Sequence, residues 1–409
     1  MAKASQIGLT DIEQAAERLK PVLQKTELIS SRTFSRLADT EVWIKPENLQ
    51  MTGTYKIRGA YNKIIQLDET HKQRGLITSS AGNHGQGVAY AAQQAGVSAT
   101  IVMPSTAPFI KIQATESYGV NVILHGNYFD EAADEAHRLE KEHGYTFIHP
   151  FNDWDVIAGQ GTVGLEILNE LPDADVIIVP IGGGGLISGI SIAAKAINPN
   201  ITIIGVEAEG AAAMYHSVNQ KEIVTLDRVN TIADGVAVAK VGQKTFDVVS
   251  QLVDRVVCVS DDEIMEAFLL LLEKHKLVAE PAGAVALAAM LNGKLKLEGK
   301  VVAVLSGGNI DVVTMSSLIE RGLLKMGRVF EFSVDLPDRP GQLLAIAKIL
   351  AEQNANVIQI EHNQFASMER FTQVRLSVKV ETNGHNHINK IIKAIKDENY
   401  IIIQEPPVV

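Results

Sequence analysis

The chain has 409 residues, room for roughly two to three domains, and its 46% hydrophobic and 21% charged shares exclude wholesale disorder, collagen-like repeats and a small stapled scaffold. With 37 basic and 48 acidic residues the formal charge is −11, and only 5% are aromatic, so the chain has neither the basic face of a nucleic-acid partner nor a stacking platform for single strands. Its one cysteine, Cys258, excludes intrachain disulfides and multi-cysteine metal sites and fits a reducing, cytoplasmic setting.

The first 14 residues carry charges and no apolar h-region, so no signal peptide is expected. From about residue 40, short apolar runs at 42–45, 76–80, 100–103, 120–124, 176–180, 201–206, 256–259 and 301–305 read as buried parallel strands. Stretches at 85–96, 131–143, 157–171 and 262–275 place apolar residues three and four apart, as amphipathic helices do. Strands alternating with helices predict an α/β fold with parallel sheets in two subdomains, the smaller (about 50–150) inserted in the larger. Residues 176–194 carry no charge and match a membrane span in length, but Pro180 and four consecutive glycines make strand, turn and buried helix the better reading, so no membrane partner is expected. Near Gly327 the pattern changes. A strand at 329–336, a helix at 342–353, strands at 357–362 and 372–380, a helix at 388–397 and a strand at 401–403 give the ferredoxin-like order β-α-β-β-α-β. The expected domains are 1–326 and 327–409.

Four glycine-marked turns follow candidate strands: Ser80-Ala81-Gly82-Asn83-His84, Gly182-Gly183-Gly184-Gly185, Asp234-Gly235 and Ser306-Gly307-Gly308-Asn309. Ligands in open α/β sheets bind beyond the carboxyl ends of the strands, so these turns mark a site. Four successive glycines leave N–H groups unshielded by any Cβ, and a helix start adds its positive end, which together make a phosphate cradle. The turn ends Gly185-Leu186-Ile187 rather than Gly-Lys-Ser/Thr, so the Walker pattern fails. Ser188 spoils the dinucleotide fingerprint, although Glu207 stands where a ribose-binding acid would. Lys56 opens a helix, where a cation meets the positive end unfavourably. A solvated lysine is the ordinary reading; a phosphate cradle elsewhere favours a Schiff-base lysine for pyridoxal phosphate. Ser306, at a strand end, is either a partner for a pyridine nitrogen or a helix N-cap.

Taken together, Thr52–Ala60, Ser80–Val88, the glycine turn and Ser306–Asn309 resemble the fold-type II pyridoxal-phosphate enzymes, specifically the threonine dehydratases (threonine ammonia-lyases), over about residues 5–325. The resemblance implies Lys56 as the Schiff-base lysine and general base, with Tyr55 beside the ring. It implies Asn83 on the cofactor's phenolic oxygen and Ser306 on its pyridine nitrogen. Gly182, Gly183, Gly184, Gly185 and Leu186 become the phosphate cradle, with Glu280 as a nearby acid. Ser80, Ala81, Gly82 and His84 lie in the loop that holds the substrate carboxylate. Related serine racemases carry a second serine where this chain has Ala81, which argues for one-faced elimination. Their metal site would need an acid where this chain has Ala213, beside Glu207, so no metal is expected.

The tail resembles an ACT regulatory domain through Asp335-Leu336-Pro337-Asp338-Arg339-Pro340-Gly341-Gln342-Leu343. Asp338, Gly341, Gln342 and Leu343 are its candidate allosteric residues. The resemblance implies conversion of L-threonine to 2-oxobutanoate and ammonia, with L-serine as a second substrate, in isoleucine biosynthesis or threonine catabolism. It also implies an amino-acid effector such as isoleucine or valine and a homo-oligomer, dimer or tetramer. The alternatives are a serine racemase or serine dehydratase of the same fold, a nicotinamide-dependent dehydrogenase resting on the glycine turn and Glu207, and a non-catalytic amino-acid sensor resting on the tail.

Overall fold

A computed structural model of the chain describes residues 6–363 and 373–404. Residues 1–5 of the N-terminal stretch, and Thr372 as the expected start of a tail strand, lie outside them. The chain divides into two compact units, Met1–Asp311 and Val312–Val409.

The first unit carries ten strands: β1 (Ile29–Ser30), β2 (Glu41–Pro46), β3 (Leu76–Ser79), β4 (Ala99–Met103), β5 (Asn121–Leu124), β6 (Thr146–Phe147), β7 (Val176–Pro180), β8 (Thr202–Ala208), β9 (Arg255–Val259) and β10 (Lys300–Leu305). They form a six-stranded sheet ordered β1-β2-β10-β7-β8-β9 and a four-stranded sheet ordered β5-β4-β3-β6. All pairings are parallel except β1 with β2. The unalternating runs have a direct cause: β3, β4 and β7 are buried at every position, with helices covering both faces. The smaller sheet comes entirely from residues between β2 and β7. Three of the four glycine-bearing turns leave carboxyl ends of strands, those after β3, β7 and β10; Asp234-Gly235 does not, because it lies in a short 3-10 helix, Asp234–Val236, well past the end of β8 at Ala208.

Helices Trp154–Glu170 and Gly185–Ile197 cross at glycines. A Cβ on Gly189 would stand 2.8 Å from the Gly161 Cα, so only the missing side chains permit this approach. The helix expected over 262–275 is α-helical only over Asp261–Leu270 and widens into a π turn at Leu271–His275. Tertiary anchoring accompanies the change: His275 stacks on Phe34 with ring centroids 5.7 Å apart and hydrogen-bonds Ser31 at 2.9 Å.

The second unit opens with helix Val312–Lys325. There follow β11 (Val329–Pro337), helix Gln342–Glu352, β12 (Asn356–Asn363), β13 (Gln373–Glu381), helix His385–Asp397 and β14 (Ile402–Gln404). The strands make one antiparallel sheet ordered β12-β13-β11-β14. Val374, Leu376, Val378 and Val380 alternate inward along β13 and meet Ile346 and Leu350 of one helix and Ile391 and Ile395 of the other. Among the described residues no helix is long and apolar enough to cross a membrane.

Candidate functional site

The turns singled out in the sequence converge at one end of the two sheets of the first unit. Lys56 opens helix Lys56–Ile65, half-buried. Its Nζ lies 3.5 Å from the Pro150 carbonyl and 5.2 Å from the centre of the Tyr55 ring. This is not a lysine extended into solvent. The loop before it is zipped to the end of β10: Tyr55 N–H donates to Ser306 O at 3.3 Å and Gly308 N–H donates to Gly53 O at 2.9 Å.

The glycine turn leaves β7 and enters helix Gly185–Ile197, with Gly184 as its N-cap at φ 90°, where other residues are strained. Each glycine is also demanded by packing. A Cβ on Gly182 would stand 2.9 Å from Val236 Cα, one on Gly183 would overlap the Phe151 ring, and one on Gly185 would stand 3.0 Å from Phe151 Cα. Thr245 Oγ1 donates to Gly183 O at 2.7 Å and fixes the turn. No described residue accepts a hydrogen bond from the N–H groups of Gly182, Gly183, Gly184, Gly185 or Leu186. These orphan donors at a helix start, with no Cβ to screen them, fit a phosphate group. The segment Pro150–Phe151 touches both Lys56 Nζ and this turn, so amine and cradle share one wall.

Asn83 opens helix Asn83–Ala95 after Gly82. Its Nδ2 donates to Glu280 Oε1 at 2.6 Å, and its Oδ1 accepts from Asn309 Nδ2 at 3.0 Å. Glu280 caps helix Pro281–Ala288, and its own N–H donates to Gly307 O at 3.1 Å. Burial pushes the Glu280 carboxyl up to about 7, against the Asn83 hydrogen bond and the Lys56 charge. Ser306 is 5% exposed, and among the described residues its hydroxyl has one contact, at 3.5 Å to Ala282 O. The next helix begins at Val312, so Ser306 caps nothing.

In the loop after β3, Ser80 Oγ accepts from Gly82 N–H at 3.2 Å, and Ala81 is half-buried against the core of the small sheet. His84 turns inward: its Nε2 meets Ile148 O at 2.8 Å. Burial, reinforced by the Lys56 charge, drives its pKa down to about 3, so the ring is neutral and donates to that carbonyl. Glu207 is fully buried and its two oxygens accept from Met214 N–H at 2.9 Å and Tyr215 N–H at 2.6 Å. Burial raises its pKa to about 8. Among the described residues no cluster of three His, Cys, Asp or Glu side chains could hold a metal.

In the second unit Gly341 has φ 94° and caps helix Gln342–Glu352, while Asp338 and Leu343 are exposed beside it. Gln342 Oε1 accepts from Tyr400 at 3.2 Å.

Three features of the site escaped sequence reading. His149 Nδ1 accepts from Phe151 N–H at 3.2 Å and Asn152 N–H at 2.9 Å, which shapes the wall shared by Lys56 and the glycine turn. Its polar, proline-bearing stretch between strand and helix was the available signal. Asn309 joins its own turn to two other segments at once, the loop at Thr52 and the helix start at Asn83 and Gln86. Arg58, two residues past Lys56, lies in a quartet of charges with the buried Glu47 and Lys45 and the partly exposed Glu166.

Residues 19–307 match the family model described as pyridoxal-phosphate dependent enzyme. The chain is 47% identical over 395 residues to the L-threonine ammonia-lyase of Thermotoga maritima, covering 96% of this chain and 98% of that protein. Among solved structures, threonine deaminase isoform 2 from Solanum lycopersicum superposes with TM-score 0.74 at 40% identity, covering 77% of this chain and 87% of that one. Maize serine racemase superposes with TM-score 0.74 at 38% identity, covering 78% and 99%.

Proposed function

The chain belongs to the pyridoxal-phosphate dependent enzyme family, and we propose that it deaminates L-threonine to 2-oxobutanoate and ammonia, with Lys56 both holding the cofactor and moving the proton. The observation that carries this reading is the wall Pro150–Phe151, which brings the Lys56 amine beside the orphan donors of the glycine turn. When bound, pyridoxal phosphate supplies an electron sink for the charge left when the substrate loses its Cα proton.

The residues divide the work by position. The N–H groups of Gly182, Gly183, Gly184, Gly185 and Leu186 bind phosphate at the positive end of their helix. The second Asn83 Nδ2 hydrogen, the one not used on Glu280, would meet the cofactor's ring oxygen. Ser306, a neutral hydroxyl with no contact shorter than 3.5 Å among the described residues, would be the partner of the ring nitrogen, and a neutral partner there would give the weaker electron withdrawal that suits prompt loss of the substrate hydroxyl. The loop of Ser80, Gly82 and His84 holds the substrate carboxylate; the Ser80 N–H is spent on Val102 O and the Gly82 N–H on Ser80 Oγ, which leaves the His84 N–H as the donor, and the His84 side chain, spent on Ile148, takes no part. Lys56 Nζ removes the Cα proton as general base. Ala81 offers no proton carrier on the opposite face, which favours elimination over racemisation despite the likeness to maize serine racemase. The same geometry admits L-serine, giving pyruvate.

The first unit forms the catalytic domain and the second an ACT-type regulatory domain. Its antiparallel sheet, its β-α-β-β-α-β order and the open turn at Gly341 support this reading. A branched-chain amino acid, isoleucine or valine, would bind at Asp338–Leu343 between paired copies of a homo-oligomer.

The test measures the visible absorption band of the lysine-bound cofactor and the release of 2-oxo acid from threonine and serine, with and without isoleucine and valine. Lys56→Ala should abolish the band and nearly all turnover. A variant that keeps its rate on threonine overturns the role of Lys56. A full-length protein with no kinetic or calorimetric response to either effector overturns the regulatory role of the tail.

A further inference from the structure

Asn309 ends the turn after β10, and its Nδ2 lies 2.8 Å from Thr52 O, 3.0 Å from Asn83 Oδ1 and 3.3 Å from Gln86 Oε1. Three segments therefore meet at one amide: the strand end that carries Ser306, the loop that leads into Lys56, and the helix start that carries Asn83. Gly53 makes the meeting possible, because a Cβ there would overlap the Asn309 amide. We infer that Asn309 is a positioning residue, which fixes the orientation of the Asn83 amide so that its NH2 group faces Glu280 and the cofactor's ring oxygen. This rests on the reading of Asn83 given above.

The argument is one of donors and acceptors. An amide nitrogen carries two hydrogens, an amide oxygen none. Because Asn309 donates to the Asn83 oxygen, the Asn83 nitrogen must turn the other way, where it stands 2.6 Å from Glu280 Oε1. One of its hydrogens goes to Glu280; the other remains for a ligand oxygen. A flipped Asn83 would set nitrogen against nitrogen at Asn309 and oxygen against oxygen at Glu280, so the two neighbours agree on one orientation. All three oxygens around Asn309 Nδ2 are acceptors, so an aspartate here would oppose every one of them.

The experiment uses the full chain. Pyridoxal phosphate affinity is measured by fluorescence titration of cofactor-depleted protein, and the visible band is recorded for the holoenzyme. The proteins are wild type, Asn309→Asp, Asn309→Ser, Asn83→Ala and the double variant Asn83→Ala/Asn309→Asp. Asn309→Asp should weaken cofactor binding about tenfold, the scale of one buried hydrogen bond left unmade, and shift the visible band. Asn309→Ser, which removes the opposing oxygen but also the donor, should fall between it and wild type and serves if the aspartate variant fails to fold. In the Asn83→Ala background Asn309→Asp should add less than about twofold, because the effect runs through Asn83. Wild-type affinity and an unshifted band in Asn309→Asp overturn the inference, as does full additivity in the double variant. If Asn83→Ala itself leaves cofactor affinity unchanged, the assignment of Asn83 is what fails, whatever Asn309 does.

Discussion

Replacing Arg58 by methionine should destabilise the first unit by about 3–5 kcal/mol, the cost of stranding a buried charge. The guanidinium is fully buried. It donates to Glu47 at 2.7 and 2.8 Å, to Glu166 at 2.6 and 2.9 Å and to Thr162 at 3.0 Å. Burial alone would favour the neutral form, but the carboxylates of Glu47 and Glu166 outweigh it and hold Arg58 charged. Lys45, 1% exposed, bonds Glu166 at 2.6 Å, so two cations balance two anions. Methionine keeps most of the volume and removes one cation. Glu166 keeps Lys45, but Glu47, 0% exposed, keeps only the Thr26 hydroxyl at 2.7 Å. The stranded Glu47 charge is thus the main cost, and Glu47→Gln in the Arg58→Met background should recover part of it, roughly 1–3 kcal/mol. Urea unfolding followed by tryptophan fluorescence isolates the effect, because both tryptophans, Trp43 and Trp154, lie in the first unit. A loss below about 1 kcal/mol in Arg58→Met, or a double variant no more stable than the single one, would refute charge compensation as what holds this net together.

Three further outcomes follow from the same geometry. Gly183→Ala, whose new methyl would overlap the Phe151 ring, should lower stability by about 1–3 kcal/mol and weaken cofactor binding; an unchanged melting temperature and titration would show that the ring yields freely. Burial raises the Glu207 pKa from its ordinary 4.5 to about 8, so the folded state holds this proton more tightly than the unfolded chain. The stability it contributes is complete below the unfolded pKa and lost as pH rises through about 8. Glu207→Gln should remove that loss, worth up to roughly 5 kcal/mol at about 1.4 kcal/mol per pH unit, and parallel urea midpoints for both proteins from acid to pH 8 would contradict it. Chiral analysis of unreacted serine should find little D-serine from the unmodified protein and more from Ala81→Ser; abundant D-serine before the change would remove Ala81 as the reason for one-faced chemistry.

The sequence by itself determined the elements that local pattern encodes. Unalternating β7 and β10 announce strands covered on both faces, and the alternation of β13 announces one covered face. Glycines at strand ends mark where the site lies, because only glycine leaves successive N–H groups open at a helix start. Tertiary structure decided whatever depends on a distant partner. The two-residue strands β1 and β6 are too short to show a period and exist because β2 and β3 pair with them. Lys45, Glu47, Arg58 and Glu166 are ordinary charges one at a time, and become a largely buried net only when residues up to 121 positions apart are brought together. His84, expected in the loop, lies in the first turn of helix Asn83–Ala95, and its ring faces Ile148, because burial disfavours its charged form and a backbone carbonyl needs a donor. A residue's own neighbours in sequence fix its burial and backbone state; which group it pairs with is fixed by the packing of the two sheets, and that pairing is what turns Asn83, Glu280 and Asn309 from three polar residues into one oriented hydrogen-bond chain.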